Sequence, residues 1–144
     1  MSAQNNDFLY DQLGNQGFAA GEEIYLFAGA PTSQQAAYPI KSQLHRVILN
    51  AVANASLVLK SILSNDNPGM VFIINDGANS VVVFPFKAFG GGATDTAETI
   101  NGGASFSITA GNAAVLIAST PQTRRKGGVG SSAPPLNWQA ALLS

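Results

Sequence analysis

The sequence has no cysteine, which excludes disulfides and thiolate metal sites. It is also poor in charge: Asp, Glu, Lys and Arg make up 10% of the chain, against about 25% in an average soluble domain. Seven bases against eight acids leave a net charge of −1, so the basic footprint of a nucleic-acid binder is missing. There is one histidine, hence no imidazole pair to share a metal ion. No apolar run reaches the roughly 18 residues that a membrane helix needs. The opening "MSAQNNDFLYDQLG" has no basic stretch followed by an apolar one. No signal peptide is therefore expected, and the protein is expected to be made in the cytosol without a membrane partner.

The hydrophobic fraction, 46%, is ordinary. The polar remainder is unusual, being Asn, Gln, Ser, Thr and Gly rather than Lys and Glu. A small solitary domain usually carries more mixed charge to stay apart from its copies. Scarce charge fits a chain whose surface is largely covered in an assembly. A length of 144 residues suits one domain with arms and allows a core without covalent staples.

Three zones follow. Residues 1–40 read as an N-terminal arm, acidic and broken by Gly and Pro, with a short helix possible over 7–13 and one strand in "EEIYLFAG", Glu22 to Gly29. In that strand Ile24, Leu26 and Ala28 share one side, and Tyr25 and Phe27 the other. Residues 41–121 are strand-dense: Leu44–Ala53, Ser56–Leu63 (helix remains open), Met70–Ile74, Ser80–Phe84, Ser105–Thr109 and Ala113–Thr120. Asp76-Gly77 and Asn101-Gly102 supply the positive-φ positions of tight hairpins. Met70–Phe84 is thus read as a hairpin with Phe72, Ile74, Val82 and Phe84 facing the core. The opposite set, Val71, Ile73, Val81 and Val83, would then need a second cover. Residues 122–144 form a C-terminal arm: a basic cluster, a Gly/Ser/Pro linker, and "LNWQAALLS", where Asn137 could cap a short helical turn. Short strands at spacings of about 8–12 residues with Gly, Asn and Pro turns predict an all-β fold, an antiparallel sandwich or jelly-roll-like barrel with extended arms.

Chemistry is sparse. His45 lacks a nucleophile-elbow pattern or an evident acid partner and is expected to be structural rather than catalytic. Asp95 and Glu98, with Asp66 or Asp76, are too few for a convincing calcium site. "FGGGATDT" and "KGGVG" do not match a phosphate loop. Arg124, Arg125 and Lys126 could touch phosphates, but three charges give only modest, salt-sensitive binding. The acidic N-terminal segment of a neighbour is a competing partner for them. No catalytic residue, metal or cofactor is expected.

"ANASLVL" at Ala53–Leu59, Pro68-Gly69, "VFIINDGANSVVVFP" at Val71–Pro85, "INGG" at Ile100–Gly103 and "AAVLIAST" at Ala113–Thr120 together resemble small β-domains of structural proteins in tailed bacteriophage virions. The resemblance spans about Val47–Thr120 and stops at Pro121, where those domains carry a Trp. It implies a non-enzymatic virion protein, in first place a capsid decoration (cement) protein on the head surface. Its partners would be itself, as a homotrimer, and the major capsid protein. The alternative is a tail or fibre component that binds a host-surface glycan or receptor, with Trp138, Tyr25 and Tyr38 as candidate aromatics. The interface residues expected are Phe8, Leu9 and Leu13 in the first arm, and Arg124, Arg125, Lys126, Leu136, Trp138, Leu142 and Leu143 in the second.

Overall fold

The structure, a computed structural model, describes residues 21–64, 67–87, 98–119 and 136–143. The helix expected over 7–13 and the interface residues Phe8, Leu9, Leu13, Arg124, Arg125 and Lys126 lie outside the described residues. Within them there are ten strands and no helix: β1 (Glu22–Leu26), β2 (Tyr38–Pro39), β3 (Leu44–Asn50), β4 (Ala55–Val58), β5 (Met70–Asn75), β6 (Val81–Phe84), β7 (Thr99–Ile100), β8 (Phe106–Ile108), β9 (Ala113–Ser119) and β10 (Asn137–Leu143).

The strands form a large sheet ordered β1-β3-β5-β9-β10-β7 and a small sheet ordered β2-β4-β6-β8. From β1 to β9 the chain changes sheet at every step. From β3 to β6, and again at β8, each strand lies beside the one two places earlier, and β1–β3, β3–β5, β2–β4 and β4–β6 are parallel, whereas β7 lies beside β10. Parallel neighbours need a long crossover, and here the crossover is a strand of the opposite sheet. Antiparallel pairing is confined to β5–β9, β9–β10 and β6–β8. The all-β expectation holds, whereas the antiparallel one gives way to mixed sheets. The coils differ in length: Glu22 faces His45, Leu44 faces Phe72, and Tyr38 faces Leu57. Unequal coils leave no fixed period in the sequence.

Met70–Phe84 is consequently not a hairpin. β5 belongs to the large sheet and β6 to the small one. The buried parity is Val71, Ile73, Val81 and Val83. Phe72, Ile74, Val82 and Phe84 are half-buried and alternate with that inward set. The reversed assignment follows from the topology, since two runs joined by an arc face each other across a core rather than along a ladder. The second turn signal behaves alike. Asn101 and Gly102 adopt φ of 52° and 77°, and Ile100 and Gly103 exchange two backbone hydrogen bonds of 2.9 and 2.8 Å. The turn is as tight as expected, yet it too leads from the large sheet to the small one.

The segments expected as arms both contribute strands. β1 supplies Ile24 and Leu26 to the core, and β10 follows Leu136 and supplies Trp138, both fully buried. The helical turn expected at Asn137 is instead a strand paired along its whole length with β9. The two sheets share one apolar core, in which Val47, Ile73, Leu116 and Trp138 of the large sheet meet Leu57, Val83 and Ile108 of the small one.

The arcs carry backbone polar groups into this core, and asparagines satisfy them. Asn75, at the end of β5, donates from Nδ2 to the carbonyls of Asn79 (2.8 Å) and Ile108 (3.0 Å) and accepts from the Gly77 N–H (3.1 Å). Asn50, at the end of β3, donates to the carbonyls of Asn79 and Ser80, both at 2.9 Å, and accepts from the Val52 N–H. Asn79 donates back to the Asn50 carbonyl. Both Asn50 and Asn75 are buried. Gly77 sits so close to this clasp that a Cβ there would lie 2.6 Å from Asn50 Cβ and 2.9 Å from its backbone nitrogen. On the outer side of the small sheet, Ser56 fastens the 31–34 loop through its N–H and hydroxyl to the Pro31 carbonyl, with Ser33 O also 2.9 Å from Oγ.

Gly77→Ala is therefore expected to destabilise the fold by about 1–3 kcal/mol, as overpacking against backbone does. Asn75→Ala should cost more, because each orphaned buried polar group costs about 1–3 kcal/mol. Urea unfolding checks both; an Asn75→Ala midpoint equal to wild type would show that the clasp does not hold the arcs.

Candidate interaction surface

His45 is wholly buried. It faces Glu22 in the β1–β3 register, with Nδ1 3.5 Å from Glu22 Oε2. Its Nε2 lies 2.7 Å from the Ser42 carbonyl. Glu22 also accepts a hydrogen bond from the Tyr38 hydroxyl. The cluster ties β1, β2 and β3 together. Desolvation pushes the His45 pKa down, opposed by the Ser42 carbonyl and the Glu22 carboxylate. Tyr38 is pushed up, chiefly by its bond to Glu22.

The carboxylates weighed for calcium are dispersed. Asp76 pairs with Arg46 at 3.2 Å on the surface. Glu98 is buried and accepts from the Ser61 hydroxyl (2.6 Å) and the Ile62 N–H (2.8 Å). Asp66 and Asp95 lie outside the described residues. Among the described residues no group of three or more His, Asp or Glu could hold a metal ion. A cleft of about 510 Å³ is lined by Pro39, Ile40, Val58, Leu59 and Phe86 and brings no carboxylate or histidine to its wall.

What the surface does offer is apolar side chains at the margins of the large sheet. At the β1 margin, Tyr25, Phe27 and Leu49 are 38–64% exposed. Tyr25 faces Leu49 across the β1–β3 pair, and its ring lies nearly parallel to that of Phe27, centroids 6.3 Å apart. The Tyr25 hydroxyl donates to Glu23 (3.1 Å), which pushes its pKa up. At the other margin, Ile117 of β9 and Leu142 and Leu143 of β10 are 45–47% exposed. Between these margins the rows facing away from the core are also mostly apolar: Leu44, Phe72, Val115 and Ala141 fall in one register line. Arg46 interrupts the next line, which runs through Ile74, Ala113 and Leu143.

Of the expected interface residues inside the described range, Leu142 and Leu143 are therefore on the surface, while Leu136 and Trp138 are core. Trp138 and the half-buried Tyr38 present no open ring for a sugar; Tyr25 does. Phe27, Leu49 and Ile117 join the surface without having been singled out from sequence. The sequence signal for Phe27 was present, since it shares parity with Tyr25 opposite Ile24 and Leu26. Ile117 sits in an apolar run with no polar neighbour to reveal which parity faces out. Comparison of the chain with family models, curated proteins and solved structures returns no match.

The His45 environment has a pH consequence. The native state keeps the ring neutral below the ordinary value of 6.5, whereas the unfolded chain takes up a proton there. The unfolded state thus binds more protons in that window, and stability falls as the pH drops below about 6.5 until the native ring protonates as well. His45→Gln, whose amide can still donate to the Ser42 carbonyl, should lose this component. Urea midpoints between pH 7.5 and 5 for both proteins provide the check; parallel curves would mean that the ring binds its proton equally in the native and unfolded states.

Proposed function

We propose that the chain is a structural protein of a tailed-phage virion, a capsid decoration protein that stabilises the head by bridging neighbouring shell subunits. The observation that carries this reading is the pair of exposed apolar margins on one sheet of a chain with 10% charged residues. Such a surface is suited to burial, and isolated monomers seldom expose large contiguous apolar patches. The mechanism is mechanical. Each contact opposes shell expansion, and repeated anchoring adds avidity because one bound contact raises the effective concentration for the next. The two sheets are read as layers of a sandwich, supported by their common core. The expected homotrimer and the head location belong to the same proposal, as does the absence of enzyme activity.

A second reading, a fibre component that binds a glycan, is favoured by one feature: the exposed Tyr25–Phe27 pair beside the Glu23 carboxylate. Apolar ring faces next to a hydrogen-bonding group suit a sugar.

Co-sedimentation with empty capsids tests the first reading. Wild type should pellet with shells and raise the temperature at which they rupture. Phe27→Ser with Leu143→Ser should weaken binding at least about tenfold, which corresponds to roughly 1.4 kcal/mol. Shells that neither bind nor gain thermal resistance, together with a positive glycan array, would transfer the assignment to the second reading.

A further inference from the structure

Resting on the reading of the chain as a self-assembling shell protein, we infer that the two apolar margins of the large sheet pack against each other between copies. The β1 margin of one chain lies against the β10 margin of its neighbour, and these head-to-tail contacts close into a ring.

The two exposed margins occupy opposite sides of one sheet, in the order β1-β3-β5-β9-β10-β7. Strand spacings of about 4.8 Å place those sides roughly 20–24 Å apart. A single chain cannot bring its own margins together. Each margin also adjoins a strand edge. Among the described residues β1 pairs only with β3. β7 covers just Asn137 and Trp138 of β10. Beyond β7, the Asn101 side chain stands in for a strand: its Oδ1 accepts from the Ala140 N–H and its Nδ2 donates to the Ala140 carbonyl, both at 2.9 Å. The next backbone pair on that side belongs to Leu142, which has no hydrogen-bond partner among the described residues. An uncovered strand edge is a template for another chain.

Charge selects which edges meet. β1 carries Glu22 and Glu23. Joining β1 to β1 across a two-fold axis would bring the exposed Glu23 of both copies to one seam, and like charges across strands are destabilising. The sequence of β10, NWQAALL, has no charge, so a β1–β10 seam has no such conflict. Joining β10 to β10 would leave Tyr25, Phe27 and Leu49 exposed. Only the head-to-tail contact uses both margins, and such a contact makes a ring when its rotation closes.

The test uses the full chain and two variants, one with Tyr25→Ser and Phe27→Ser, the other with Leu142→Glu and Leu143→Glu. All four positions are at least 45% exposed. If either pair misfolds by circular dichroism, Phe27→Ser or Leu142→Ser alone replaces it. Sedimentation velocity at micromolar concentration should show a closed oligomer for wild type and monomers for each variant. An equimolar mixture of the variants should give 1:1 heterodimers, because each retains the margin that the other lacks. A variant that still assembles like wild type, a mixture that stays monomeric, or a monomeric wild type would overturn the ring. Capsid co-sedimentation of the same proteins separates this outcome from the functional reading: a monomer that binds shells removes the ring alone, and a ring that ignores shells removes the shell partner alone.

Discussion

The constraint on which the described fold depends is the change of sheet after nearly every strand. A hairpin turns in solvent, where water satisfies its backbone. An arc between two sheets turns against the core, where an unpaired N–H or C=O is costly. This chain meets the requirement with side-chain amides, because Asn offers two donor hydrogens and an acceptor on a short stem. Asn50 and Asn75 close successive strands of the large sheet, and Asn79 links their arcs by donating to Asn50 O and accepting from both side chains. Gly77 leaves the space that lets the arc approach Asn50. Without that clasp the parallel pairing of β3 with β5 and of β4 with β6 would lose its registration at the same end of the molecule.

Parallel coiling then determines where the surface stays open. Each coil up to β5 covers the edge of the previous one, so β3 and β5 are closed on both sides, while β1 is covered on one side only among the described residues. The antiparallel return through β9 and β10 closes the far side of β5 and creates a second margin. The Glu22–His45–Tyr38 cluster fixes β1 to its neighbours from within. A single edge strand would otherwise be the first to fray. Glu22 thus anchors the strand from within, while its neighbour Glu23 is exposed.

Much of this was legible from residue types. The runs Glu22–Gly29, Leu44–Ala53, Met70–Ile74 and Ala113–Thr120 read as strands because apolar residues, β-branched and aromatic ones among them, fall between Gly, Asn and Pro turns, and each overlaps an observed strand. Of the residues placed on one side of the first run, Ile24 and Leu26 are buried, whereas Ala28 lies past the end of β1 and is exposed. The hairpin reading of Met70–Phe84 failed for a physical reason. Asp-Gly and Asn-Gly supply positive or permissive φ, which both hairpins and arcs need, so the turn residues cannot choose between them. The discriminating sign lay in Asn50 and Asn75. Asn is disfavoured in strands, and an Asn ending two successive apolar runs marks a buried turn that needs its amide. β10 was misjudged through propensity. Gln, Ala and Leu favour helix, but pairing with β9 and burial of Trp138 override that preference, as tertiary context does. The margins were only half visible, because exposure of Ile117 and Leu49 depends on which strands stand beside them, and strand order is not written in local sequence.

Charge scarcity acquires a sharper meaning once the fold is known. Spread evenly, few charges would merely lower solubility. In the described residues the carboxylates are either engaged or set beside a partner: Glu22 serves His45 and Tyr38, Glu98 holds the Ser61 turn, Asp76 meets Arg46, and Glu23 takes the Tyr25 hydroxyl. Little charge remains to repel a neighbour from the large sheet, and β10 brings none. Repulsion is what normally keeps a sheet edge from joining another. A chain that removes it along one strand, while keeping the exposed Glu23 on the opposite edge, favours unlike edges over like ones. Specificity of this kind comes from penalising the wrong pairing as much as from strengthening the right one. The direction of assembly can therefore follow from where the few charges stand, even though their number is too small to stabilise an interface by attraction.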